Sequence, residues 1–147
     1  MNFMRMTKLT ASDADTSDNF GQSVILSGDY ALIGSHFDDV GVQTDQGSAY
    51  VYLRSGILWS QQAQLVASDG ASNDYFGYSV SLDGDYALIG AYYDYVSGDT
   101  SRGSAYVFLR EGTVWNQQAQ LVASDGDVGD SFGRSVAVLG DYALILQ

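Results

Sequence analysis

The chain has 147 residues, no cysteine, no proline and a formal net charge of −12. That charge excludes nucleic acid and anionic membrane surfaces as natural partners, since both are polyanions, and absent cysteine excludes disulfides and thiolate metal sites. Apolar content of 46% is globular, and no run approaches the ~18 apolar residues of a membrane helix, so no membrane insertion is expected.

Residues 1–8 read as a lead-in. They lack the apolar core of a secretory signal. From Leu9 onward a 56-residue unit repeats without insertion or deletion. Leu9-Thr-Ala-Ser-Asp13 returns as Leu65-Val-Ala-Ser-Asp69 and Leu121-Val-Ala-Ser-Asp125. Residues 9–64 and 65–120 agree at 33 of 56 positions, which makes the chain one array: repeat 9–64, repeat 65–120 and a partial repeat 121–147.

Within the first unit, 23–26 and 30–34 read as short strands around the turn Ser27-Gly28-Asp29. A polar loop follows over 36–46, then a third strand over 48–54 rich in aromatic and aliphatic residues. Ser55-Gly56 turns it into a fourth strand over 57–67, carrying Trp59. The second unit repeats the pattern over 79–82, 86–90, 104–110 and 113–123. No segment keeps a 3.6-residue period, so helix is not expected. Tyr30-Ala-Leu-Ile33 and Tyr86-Ala-Leu-Ile89 are apolar at consecutive positions, so both faces of each sheet must be covered. Four-stranded meanders packed face to face make an all-β propeller. A flat sandwich is the alternative, but it does not explain the repeat.

The motifs also carry a family resemblance. Phe20-Gly21, Phe76-Gly77 and Phe132-Gly133 recur in register, followed by Ile33-Gly34-Ser35 and Ile89-Gly90-Ala91. Trp59-Ser-Gln-Gln-Ala-Gln-Leu65 and Trp115-Asn-Gln-Gln-Ala-Gln-Leu121 accompany them. The chain resembles the FG-GAP repeat family, the integrin α-subunit-like β-propeller repeats, and its bacterial branch in particular. The resemblance implies a binding or adhesion module in an extracellular or cell-surface setting. It also implies a calcium loop between the first two strands. Here that connection is three residues long, too short for the 6–8 oxygen ligands calcium takes, so the family's metal site does not carry over.

Residues 8–12 match the end of a fourth strand, so the expected strand count is one, four, four and two. A ring takes about 4–8 blades, which points to an incomplete propeller: a segment of a longer chain, or a protomer that self-associates.

Seventeen of the eighteen acids are Asp. An antiparallel meander puts thirteen of them on the rim formed by the 2–3 loops and the 4–1 connections. Those long loops are where scaffolds usually hold binding residues. Asp18, Asp74 and Asp130 precede Phe-Gly in every copy and suit turn ordering. Each Phe-Gly pair suits the blade interface, and Trp59 and Trp115 suit packing. Asp38 and Asp39, with Tyr92, Tyr93, Asp94, Tyr95 and Asp99, are the candidate contact residues, for exposed tyrosines beside acids fit a protein or sugar surface. Asp125, Asp127 and Asp130 form the densest oxygen cluster and the candidate calcium site. Catalysis has only His36, Lys8 and Glu111 to draw on, so an enzyme is not expected. The expected function is protein recognition by the acidic rim. The alternatives are a calcium-stabilised scaffold and a lectin-like sugar binder using Phe37, Tyr92, Tyr93 and Tyr95, which leaves the ligand either protein or glycan.

Overall fold

The computed structural model describes residues 6–147, so most of the lead-in lies outside the described residues. Ten strands form: β1 (Ser23–Ser27), β2 (Tyr30–Ser35), β3 (Ser48–Ser55), β4 (Leu58–Leu65), β5 (Ser79–Asp83), β6 (Tyr86–Ala91), β7 (Ser104–Glu111), β8 (Val114–Leu121), β9 (Ser135–Leu139) and β10 (Tyr142–Leu146). They make two four-stranded antiparallel meanders, β1–β4 and β5–β8, and a two-stranded sheet, β9–β10. These are the blades of an incomplete all-β propeller.

The hairpin turns explain the register. Ser27 pairs with Tyr30, leaving Gly28 and Asp29 as a two-residue loop. Gly28 sits at φ +58 and Asp29 is not in the left-handed region, the pattern of a type II′ turn, whose twist matches its strands. Arg54 joins this turn to the neighbouring one by pairing with Asp29 and donating to Gly56 O at 3.0 Å. Arg110 does the same with Asp85 and Gly112. These pairs are exposed and contribute little energy, but they define the rim opposite the long loops.

β4 and β8 each carry one bulge, which leaves Gln62 and Gln118 without a cross-strand partner. The bulge re-aims Gln62, whose Oε1 accepts a 2.8 Å bond from Trp115 Nε1 of the next blade. Trp115 also packs edge-on against Tyr30. The repeated Trp and Gln-Gln thus act together across the blade contact.

Leu32, Ala49 and Val51 of the first blade meet Phe76, Leu82, Ala87, Ile89, Tyr106 and Phe108 of the second in one core. This covering of both faces is why the β2 and β6 sequences do not alternate. The effect of a neighbouring blade can be read off equivalent residues. Leu82, with a blade in front of it, is 5% exposed, whereas its equivalent Leu26 is 64% exposed. Phe76 is fully buried, while Phe20 is half-buried on the open face and Phe132 half-buried on the two-stranded unit.

One expectation is corrected. Residues 8–12 are not a strand. Among the described residues no third strand lies beside them to supply a ladder. The segment still takes its repeat position: Thr10 O accepts from the Tyr52 hydroxyl at 2.6 Å, and Ser12 exchanges bonds with Gln61 as Ser68 does with Gln117.

Candidate functional site: an aromatic and acidic rim

The long loops of one blade are stitched to the 4–1 connection of the next. Asn73 N donates to Thr44 O at 2.9 Å and Phe76 N to Gln46 O at 2.9 Å. In the following pair Ser131 N donates to Ser101 O and Phe132 N to Arg102 O, both at 3.0 Å. This ladder makes a single rim and fixes where each loop side chain can go.

Each 2–3 loop is built around a buried aspartate. Asp38 is 5% exposed, with its carboxylate turned inward. It accepts from the Ser48 hydroxyl and from Gln64 Nε2 at 3.1 Å. The Tyr50 hydroxyl lies between Asp38 at 2.9 Å and Asp13 at 2.8 Å. The second blade repeats the arrangement: Asp94 with Ser104, Gln120 and Tyr106, whose hydroxyl also reaches Asp69 at 3.0 Å. Burial pushes the Asp38 carboxyl up, opposed by the bonds from Ser48 and Tyr50. Burial also pushes the phenols of Tyr50 and Tyr106 up, so both stay protonated donors.

Asp38 and Asp94 were expected as surface contacts, and the structure corrects this. A carboxylate holding three donors inside the loop is a loop anchor. The other candidates divide. Asp39 is exposed and accepts from Asp45 N at 2.9 Å. Tyr93 and Tyr95 are exposed, Tyr92 is half-buried, and Asp99 is half-buried 4.0 Å from Arg102.

The aspartates before each Phe-Gly order the turn. Asp18, Asp74 and Asp130 accept from the backbone N–H three residues earlier, at 2.6, 2.6 and 2.7 Å. In the Asp125, Asp127 and Asp130 trio, one carboxylate oxygen of Asp130 is held by Asp127 N. Among the described residues, no three acidic or imidazole side chains come together as a metal-binding group. The residues do not fit the family's calcium ion.

Asp74 differs from its equivalents in depth. It is buried, and that burial, opposed by the Ala71 N–H bond, pushes its carboxyl up to about 6. Folding therefore favours its protonated form. The stabilisation is complete below the unfolded value near 4 and is lost as pH climbs through about 6. Denaturant melts at pH 4.5 and 7.5 should show the chain more stable at the lower pH, with Asp74→Asn shrinking the difference. An unchanged difference would place the titration elsewhere.

An aromatic cluster lies along the same rim. Tyr75 is its hub, with ring centroids 5.2 Å from Phe37, 5.8 Å from Tyr92 and 5.3 Å from Tyr93. His36 and Tyr78 extend it, and the Arg134 guanidinium lies 5.8 Å over Tyr92. Burial pulls the His36 imidazole down, so it packs as a neutral ring. Tyr75, Tyr78 and His36 were not among the sequence candidates. The signal was the position before each Phe: Asn19, Tyr75 and Ser131 all sit in the left-handed region, at φ 55, 58 and 60. Asn tolerates that region far better than a bulky ring does.

These blades, the Phe-Gly loops at their contacts and the Ile-Gly ends of β2 and β6 coincide with a family model described as FG-GAP repeat, which matches residues 3–52, 59–108 and 115–145. The chain belongs to the FG-GAP repeat family. No curated protein matches it. FG-GAP repeats are β-propeller modules typical of adhesion and binding proteins, a generally non-enzymatic kind of fold. The inward Asp38 and Asp94 are how this FG-GAP chain builds its loop rim, while its short 1–2 turns lie on the opposite one.

Proposed function

We propose that this chain is a recognition module that binds a cationic protein surface through the aromatic patch of its rim, in an extracellular or cell-surface setting. The observation that carries the reading is Tyr75. Its equivalents are Asn19 and Ser131, and asparagine suits a left-handed backbone at lower cost than a bulky ring does. A tyrosine held there stores roughly 1 kcal/mol or more of strain, and such strain concentrates at functional sites. It places the ring between Phe37 and Tyr93, with Asp45 alongside, whose carbonyl accepts from Tyr75 N at 3.3 Å and whose own N–H is held by Asp39. Aromatic rings rimmed by carboxylates suit lysine and arginine, through cation–π contact and charge.

Tyr75→Asn separates the two roles. It should keep or slightly raise the melting temperature while weakening binding to an array of Lys- and Arg-rich peptides by about tenfold or more, as loss of a central aromatic contact does. Unchanged binding would sink the reading. A sugar ligand is the second reading, favoured by a cavity of about 190 Å³ lined by Asn73, Asp74, Tyr93, Tyr95 and Thr100. Glycan-array binding lost in Tyr95→Ala, with no peptide binding, would establish it instead. Calcium serves neither reading. Millimolar calcium should shift the melting temperature no more than monovalent salt of equal ionic strength. A calcium-specific rise of several degrees, lost in Asp127→Asn, would overturn that.

We also propose that the open faces of the first blade and of β9–β10 are covered in the working molecule, by further blades or by other copies. The exposed residues on these faces include Val24 and Leu26 at one end and Tyr142 and Leu144 at the other, and contiguous apolar surface drives association.

A further inference from the structure

Three tyrosines of the second unit stand where the other copies hold unrelated residues. Tyr75 replaces Asn19 and Ser131, Tyr78 replaces Gln22 and Arg134, and Tyr92 replaces His36. The first blade makes the same four-stranded meander without them, so the fold does not ask for phenols at these positions. Among the described residues, the ring contacts between tyrosines all fall within this group and its neighbour Tyr93.

Tyr78 and Tyr92 are the tightest pair, with ring centroids 4.4 Å apart and planes tilted by 55°. That is about the separation of two rings bonded directly carbon to carbon, so joining them asks for little movement. Their backbones are held as well. Tyr78 precedes β5 and Tyr92 follows β6, close beyond the Ser79–Gly90 pair that ends the ladder, and Gly77 N donates to Gly90 O at 3.0 Å. Groups held in contact react as one molecule does, without the cost of a bimolecular encounter. Both rings are half-buried, whereas Tyr93 is exposed, 5.9 Å from Tyr92 and 5.3 Å from Tyr75. An oxidant reaches the group there, and the chain has no cysteine to compete for it.

We propose that Tyr78 and Tyr92 are an oxidative coupling site, at which a one-electron oxidant joins them as a dityrosine. Each phenol gives one electron to one equivalent of oxidant and its hydroxyl proton to water. The two phenoxyl radicals form a carbon–carbon bond between the positions ortho to their oxygens, and the hydrogens on those two carbons move to the oxygens. The chain loses two hydrogens in all, and two equivalents of oxidant are reduced. The bond ties the connection entering β5 to the loop leaving β6, and such a tie stabilises by restricting the unfolded chain. Coupling needs only the two rings, so it stands whether or not the rim binds cations.

The test exposes dilute chain to photogenerated tris(bipyridine)ruthenium(III), a one-electron oxidant. Cleavage before aspartate then releases fragments 74–82 and 85–93, which carry Tyr78 and Tyr92 on separate peptides. Mass spectrometry of the monomer should find the two joined, two hydrogens lighter than their sum, with dityrosine fluorescence. Tyr75→Phe and Tyr93→Phe should keep the joined peptide. Tyr78→Phe and Tyr92→Phe keep the rings but remove a phenol, and each should abolish it. Tyr92→His, which restores the residue of the first copy, should abolish it too. Circular dichroism matching wild type shows that each variant is folded. No joined peptide from wild-type chain under conditions that couple free tyrosine would overturn the proposal. So would a joined peptide that persists in a folded Tyr78→Phe, Tyr92→Phe or Tyr92→His chain.

Discussion

Phe76→Ala should lower the unfolding free energy by about 3–5 kcal/mol, the cost of deleting a fully buried ring and leaving a partly collapsed cavity. Phe76 has no exposed surface, and its ring meets Tyr106 at 5.4 Å and Phe108 at 6.1 Å within its own blade while joining the core shared with the first. Its backbone N–H is tied to Gln46 O, so the loss would loosen the blade contact as well as the blade. Phe20→Ala is the internal comparison. Phe20 has the same aromatic neighbours in Tyr50 and Tyr52 but faces the open side and remains half-buried. Its cost should be smaller by a clear margin, because a cavity open to water forfeits less. Denaturant melts giving Phe76→Ala a cost under about 1 kcal/mol, or costs equal for the two, would contradict stacked blades.

The contrast between Phe20 and Phe76 also marks what the sequence could and could not reveal. The repeat period and the Gly-X turns exposed the meander, because a two-residue loop with glycine first leaves strand pairing little freedom. Consecutive apolar residues in β2 and β6 exposed the covering of both faces. The fate of residues 8–12 was hidden, since the same five residues can pair only where a third strand lies beside them. Asp38 and Asp94 were hidden for another reason. A loop aspartate looks solvated until the chain folds back and brings Ser104, Tyr106 and Gln120, ten to twenty-six residues away, to the same point. The role of Tyr75 is invisible to composition, because only the backbone angle tells that the residue is costly where it stands.

The buried aspartate carries the other large expected effect. Asp94→Ala should cost about 2–4 kcal/mol, as removal of a charged acceptor leaves buried donors unpaired. Ser104 loses its hydroxyl partner outright, whereas Tyr106 keeps Asp69 and Gln120 keeps the Tyr106 oxygen, so the cost should stay below that of three isolated orphans. Asp94→Asn should recover part of it, because the amide oxygen can stand where one carboxylate oxygen accepts from Ser104, Tyr106 and Gln120, though without the charge that strengthens those bonds. The order wild type, Asn, Ala is the result to look for in urea melts. An alanine variant as stable as wild type would mean that the carboxylate costs as much to bury as its bonds return. The same substitution tests the rim without touching it. Asp94 closes the 94–103 loop, with its own carbonyl accepting from Gly103 N at 3.1 Å, and Tyr93 and Tyr95 flank it in the chain. If those tyrosines contribute to ligand binding from fixed positions, Asp94→Ala should weaken binding although its side chain is too deep to reach a ligand. Full binding in a destabilised Asp94→Ala chain would show that Tyr93 and Tyr95 are held by Tyr75 and the aromatic cluster alone.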